Sequence, residues 1–393
     1  MKKLTAVVAI MAVFTLAVCF IMIGSVSEEL KLRLGIDNSD IGTLVLIFSL
    51  TSIVVQLLTG PIVDRFGHKP LAIVGFVVSS ASIFLMAYAA SFIWIIIAAV
   101  LLGTGAICCN TVGNTLLPVV LFDGKEPARA SNFGNGFVGL AFVLTPLFIV
   151  TLINDMGVSY SATLSIISAV VLGFAVFAMV AGYPEVSTGF KLSMAFKLLG
   201  KPAVLLAALA LVCYIGLEFT MNTWTKPLMT ELFTAKANPD AVRNAGRTLA
   251  LFGLAMAIGR FLSSTIRNLS RIGTRLIAAA SLISILSITV LIVTDSPVYA
   301  IIAVLVTGFA FAPMFPTIVG VTFARFDSRL YGSIFGIIFS IGLLGSMFLP
   351  KIIGSLSVGR TIQQSLPIAV VIAGVLLVIA LMMNKASGPE KTG

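Results

Sequence analysis

The stretch Gly60-Pro61-Ile62-Val63-Asp64-Arg65-Phe66-Gly67-His68-Lys69-Pro70 is a polar interruption between two long apolar runs, Ile41 to Thr59 and Leu71 to Ala90. An Asp-Arg pair with a glycine on either side, wedged between membrane-length segments, reads as a tight loop at a water interface. Gly60 and Pro61 are expected to end the preceding helix, because proline lacks the N–H a helix needs and glycine weakens it. Gly67 permits the reversal, and Lys69 stands where the next helix begins.

Working outward, apolar residues make up 59% of the 393 and charged residues 10%, with a mean hydropathy of +1.13. Soluble domains carry about 45–50% apolar and about 25% charged residues. The chain is therefore read as membrane-embedded, and twelve apolar stretches are each long enough for a spanning helix of ~20 residues. They run from Leu4–Val26 through to Ile362–Met383. The first could pass for a secretory signal, with Leu16-Ala17-Val18-Cys19 as a cleavage box, but Val18 is bulky and the run continues to Val26. It is read as the first span.

Sixteen Lys and Arg fall on the side that holds the N-terminus, including Lys2, Lys3, Arg65, Lys69, Lys125, Arg129 and Lys191. The other side holds six: Lys31, Arg33, Lys236, Arg243, Arg247 and Arg360. This bias places both termini in the cytoplasm of a cell-membrane protein. It also accounts for the net charge of +10 without a nucleic-acid partner, since the basic residues are scattered singly. The longest polar connection, Tyr183 to Pro202, divides the chain into residues 1–183, a cytoplasmic linker 184–202, and residues 203–393. The halves repeat with an offset of about 200 residues. Gly60 answers to Gly259-Arg260, Gly103 to Gly308, and Arg129 with its Ala-Ser-Asn to Arg329 before the eleventh stretch. Six helices per half make the repeats parallel, related by an axis along the membrane normal.

Nothing reads as bond-making chemistry. There is no phosphate-binding Gly loop, no H-E-x-x-H, no G-x-S-x-G elbow and one histidine. The four cysteines sit inside apolar stretches without metal-site spacing and read as packing residues. No cofactor or metal is expected, and the chain is not expected to be an enzyme. No stretch could fold as a nucleotide-hydrolysing domain, so transport would be gradient-driven or passive.

Glu218 is the sharpest candidate, since a carboxylate at mid-membrane depth is costly unless paired, solvated or protonated. Tyr214, Glu218 and Asn222 recur every four residues and share one helix face, a stripe suited to a polar solute or a proton. A structural carboxylate bonded to a neighbouring helix is the competing account. Lys226 is expected to snorkel to the surface. Asn110 and Asn114, one turn apart, either line the cavity or bond across helices. Gln56, Asn132 and Asn135 are assigned to packing or gating, and Pro313 and Pro316 to a kink in the tenth helix.

Gly60-x-x-x-Asp64-Arg65-x-Gly67-x-Lys69 resembles the signature loop between the second and third helices of the major facilitator superfamily, with His68 where a basic residue usually stands. The resemblance spans the whole chain. It implies an all-α membrane protein of twelve transmembrane helices in two pseudo-symmetric six-helix halves. It also implies a gating role for Gly60, Asp64, Arg65, Gly67, Lys69 and the matching Arg260. Tyr214-x-Gly216-x-Glu218 with Trp224, Gly253 to Gly259-Arg260, and Gly308 with Pro313-x-x-Pro316-Thr317 resemble the fucose–proton symporter branch. The first stretch departs from that branch, having no carboxylate before Glu28, and so does the fourth, which reads Ala106-Ile-Cys-Cys-Asn110. The expectation is alternating-access transport of a small polar solute, with proton-coupled uptake of a sugar or metabolite. Its partners would be the solute, protons and the bilayer, with a monomer as the working unit. The alternatives are efflux of an amphipathic compound and a non-transporting membrane receptor.

Overall fold

In a bilayer every backbone N–H and C=O must find a partner within the chain, so long apolar runs become helices. The computed structural model describes residues 2–122, 127–184, 192–264, 269–326 and 330–385, and among these there is no strand. Twelve helices are long and apolar enough to span a membrane. We number them α1 (Lys2–Ser25), α2 (Asn38–Phe66), α3 (His68–Tyr88), α4 (Phe92–Val120), α5 (Pro127–Val150) and α6 (Tyr160–Val180). The second six are α7 (Pro202–Ala235), α8 (Ala241–Ser264), α9 (Leu269–Val293), α10 (Pro297–Phe323), α11 (Tyr331–Leu356) and α12 (Pro367–Lys385). Part of the expected linker lies outside the described residues, as do Lys125, Lys191 and Arg329 and the side chains of Arg129 and Asn132. Within the remainder of the linker, Leu192–Leu199 is a short helix.

The connection between α2 and α3 is tighter than the sequence suggests. α2 does not stop at Gly60-Pro61; it runs through Pro61 to Phe66, and α3 begins at His68. Ending a helix early in an apolar environment would strand several peptide groups, whereas continuing through proline forfeits one bond. Gly67 alone makes the turn, at φ 77°, in the left-handed region that favours glycine. At its other end α2 begins at a capping box, Asp37 accepting from the Asp40 N–H while the Asp40 carboxylate accepts from the Asp37 N–H.

The helix contacts repeat between halves. α3 packs on α4 and α6, and α9 packs on α10 and α12. α2 lies on α4 as α8 lies on α10. The halves meet through α2 with α11, α5 with α8, and α1 with α7. Glycines allow the closest approaches, as usual where helices associate in lipid. A Cβ added at Gly253 would stand 2.5 Å from the Phe142 carbonyl, and one at Gly139 2.8 Å from the Ala257 methyl. Inside the second half, Gly216 and Gly345 bring the α7 and α11 backbones into contact, and any side chain at Gly345 would collide with the Val212 carbonyl. α7 is the most enclosed span, while α2, α6, α9 and α12 are the least enclosed.

α10 is broken where Pro313 lacks its N–H. Its first segment ends at Phe311 and its second begins at Met314. Pro316, expected to add to the kink, instead sits in the first turn of the second segment, where a missing N–H costs nothing.

The end of the bundle opposite Asp64 is held shut between the halves. Lys226 of α7 is fully buried and does not snorkel. Its Nζ donates to Glu29 Oε1 at 2.7 Å, to Glu29 Oε2 at 2.6 Å and to the Ser25 carbonyl at 2.7 Å. The reason is length: α7 continues to Ala235, so Lys226 is too deep to reach water along its own helix. Lys351 of α11 bonds Ser39 O, Ser39 Oγ and Thr43 Oγ1 on α2. A π-helical turn after α5 presents Asp155 to Arg243 and Arg247 at the start of α8.

Candidate functional site

α1, α4, α5, α7, α8, α10 and α11 converge on a cavity of about 60 Å³. The polar groups on its wall are Asn110 and Asn114 of α4, Asn135 of α5, Glu218 of α7 and Arg260 of α8. Four phenylalanines, Phe20, Phe142, Phe219 and Phe315, supply much of the rest, with Phe339 of α11 beside them. Phe20 and Phe219 meet across the two halves at 4.9 Å between ring centres, and Phe48 closes on Phe20 at 5.7 Å.

Glu218 and Arg260 form an ion pair. Arg260 Nη2 donates to Glu218 Oε1 at 3.1 Å, and each side chain is 9% exposed. The guanidinium also lies 5.9 Å from the centre of the Phe142 ring, a cation–π contact from the other half. A carboxylate and a guanidinium at this depth each offset the other's desolvation, which neither could sustain alone. Arg260 Nε has no hydrogen-bond partner among the described residues, so the fork keeps a donor in reserve beside the cavity. The Tyr214 hydroxyl, fully buried one turn before Glu218, lies against the Glu218–Arg260 pair, without a well-aligned hydrogen bond among the described residues. Its ring packs edge-on to Phe311 at 6.0 Å.

The opposite wall is neutral. Asn114 Nδ2 donates to Asn110 Oδ1 at 2.7 Å, and Asn110 Nδ2 donates to Gln56 Oε1 of α2 at 3.2 Å. From there a hydroxyl ladder descends toward the Asp64 end. Thr111 donates to Thr59 at 2.8 Å, and Thr115 donates to the Thr111 carbonyl while meeting His68 Nε2 at 2.8 Å. With its own proton committed to Thr111, the Thr115 oxygen accepts from an Nε2–H of His68. The buried histidine thus ties α3 to α4.

The structure gathers Glu218, Asn110 and Asn114 at the cavity and places Tyr214 behind Glu218. It does not bring Asn222 there: that residue is buried where α7 crosses Gly24 of α1, and neither of its side-chain polar atoms has a hydrogen-bond partner among the described residues. Pro313 breaks α10 just before the cavity residue Phe315. Gly60, Asp64, Arg65, Gly67 and Lys69 lie apart from the cavity. Asp64, Arg65, Gly67 and Lys69 border a surface hollow of about 790 Å³ with residues 181–184, while Gly60 is buried within α2. Arg260, read in the sequence as the counterpart of that loop, belongs instead to the cavity. Asn135, assigned from sequence to packing or gating, also lines it.

A family model, the Major Facilitator Superfamily, matches residues 6–350. The chain belongs to the major facilitator superfamily. It is a membrane transporter, not an enzyme. Among solved structures it is similar to that of a mutant of the nucleoside transporter NupG, with a TM-score of 0.79 and 14% identity over 97% of this chain and 99% of that one. No curated protein sequence matches the chain significantly.

Proposed function

We propose that this transporter is a proton-coupled secondary carrier that takes up a small, uncharged, hydroxyl-rich ring compound, a sugar or a nucleoside. The observation that carries the reading is the Glu218–Arg260 pair beside a wall of three asparagines and several phenylalanine rings. The pair is neutral as a unit, so the cavity makes no demand for a charged solute. Amides offer donors and acceptors together, matching hydroxyl groups that do the same. Phenylalanine rings accept the apolar face of a sugar or base. The NupG structure belongs to a nucleoside transporter, and the resemblance to the fucose–proton symporter branch points to the same family of ring compounds.

In the coupling step, solute acceptors take up Arg260 donors, including the unused Nε–H, and loosen its hold on Glu218. The carboxylate then binds a proton, and solute and proton leave together once the halves tilt. The charge bias of the sequence orients the carrier with both termini in the cytoplasm, and the halves pivot as residues 1–183 and 203–393.

The test is counterflow in proteoliposomes with labelled sugars, nucleosides and a hydrophobic cation, followed by Glu218→Gln. The expected result is exchange of a sugar or nucleoside, with proton-driven accumulation abolished in Glu218→Gln while exchange survives. Counterflow of the hydrophobic cation alone would favour efflux of amphipathic compounds. Normal accumulation by Glu218→Gln would assign Glu218 a purely structural role.

A further inference from the structure

Outside the cavity, Lys226 is a fully buried charge whose hydrogen bonds are all spent. All three protons of its ammonium go to the other half: two to the Glu29 carboxylate and one to the Ser25 carbonyl. Ser25 is the last residue of α1, where helix carbonyls lack intrahelical partners and the helix dipole favours a cation. Glu29 lies in the first turn of the short helix Ser27–Leu34, which prolongs α1. A single side chain from α7 therefore binds the end of α1 and the start of its extension. Gly24, one residue before Ser25, lets α7 approach so closely that any added side chain would strike the Asn222 carbonyl.

We infer that Lys226 and Glu29 form the latch that keeps this end of the carrier closed, and that separating them is a required step whenever solute passes there. When α7 moves away from α1, all three bonds break together. The ammonium and carboxylate are then hydrated separately, which is the only alternative that meets the needs of both. The closed state thus depends on each charge finding the other. An unpaired ammonium in the same buried position would favour opening. Lys351 makes a parallel contact from α11 to α2, but its three acceptors are neutral oxygens of Ser39 and Thr43. Removing it deletes bonds without leaving a buried charge behind. The closed state should therefore be less sensitive to Lys351 than to either member of the latch.

The experiment uses spin labels at Leu32→Cys and Val358→Cys, exposed positions at this end on opposite halves. The four native cysteines, all free and buried, are replaced by alanine. Distances are measured in lipid nanodiscs without solute, so the result is independent of which compound is carried. Glu29→Gln and Lys226→Met are each expected to raise the ratio of open to closed molecules about tenfold, equivalent to ~1.4 kcal/mol. The Glu29→Gln/Lys226→Met double variant should lie nearer wild type than the sum of the two, and Lys351→Met should shift the ratio less than either single variant. Thermal melting confirms that each variant is folded. If one is not, Glu29→Asp, which keeps the charge but shortens its reach, should still shift the ratio in the same direction by a smaller amount. Unchanged distances in the folded single variants, or a double variant equal to their sum, would overturn the latch.

Discussion

α7 carries two buried charges with opposite allegiances. Glu218 turns sideways to Arg260 on α8, within its own half, while Lys226 reaches across to Glu29 and Ser25 in the other half. They are eight residues apart, about 12 Å along the helix at ~1.5 Å per residue. A pair contained in one half can persist while the halves tilt, so its state is open to control by whatever enters the cavity. A pair that bridges the halves is undone and remade in each cycle. One helix thus hosts a charge that responds to solute and a charge that responds to conformation.

The largest effect is expected from removing the cation of the internal pair. Arg260→Met strands Glu218 as a buried carboxylate, and folded stability should fall by about 3–5 kcal/mol. Thermal unfolding in detergent measures this loss, and solute accumulation should drop to background. Adding Glu218→Gln should restore most of the melting temperature but not accumulation, which separates the pair's structural role from its coupling role.

The next largest effect concerns the opposite end of the molecule. Asp64→Asn should slow net transport roughly tenfold, corresponding to ~1.4 kcal/mol on the barrier, with unchanged yield of folded protein. If Asp64 secures its end as Lys226 secures the other, this variant should shift the Leu32–Val358 distances toward the closed form, opposite to Glu29→Gln. A shift in the same direction would mean that the two ends are not in balance.

Smaller again is the contribution of the neutral wall. Asn110→Ala removes the bonds to Gln56 and from Asn114, and should raise the solute concentration for half-maximal counterflow about five- to tenfold, the worth of a hydrogen bond of ~1–1.4 kcal/mol. Proton coupling should be intact, because the charged pair is untouched. The smallest effect is predicted for Asn222→Leu. It lies on the same helix between the two charges but faces neither the cavity nor a hydrogen-bond partner. A change of less than about twofold in that concentration is expected.

The spans were legible in the sequence because apolar runs of membrane length leave the backbone no alternative to helix. The sharp turn at Gly67 was legible too, but the stripe through Glu218 was not: of its three residues only Glu218 lines the cavity. Pro61 misled because Gly-Pro is a stop signal in water, where a terminated helix can bond to solvent; in lipid the helix continues. Lys226 misled because its distance from the helix end was underestimated. Arg260 looked like an echo of the Asp64 loop, yet its charge was informative: an arginine in an apolar stretch requires a carboxylate at the same depth, and Glu218 was the candidate. Asn135 carried no such signal, since which face of α5 meets the cavity is set by packing against α1 and α8 rather than by local pattern.

The cavity of about 60 Å³ holds roughly two water molecules at ~30 Å³ each, whereas ligand pockets run to about 300–1,000 Å³. A ring compound cannot be seated without widening this space, so part of its binding energy goes into parting the helices around it, α1 and α7 among them. The apparent dissociation constant is then the intrinsic one divided by the fraction of molecules already parted. Sequence changes far from the solute that loosen the α1–α7 seam would therefore tighten apparent binding, with no new contact made to the solute itself.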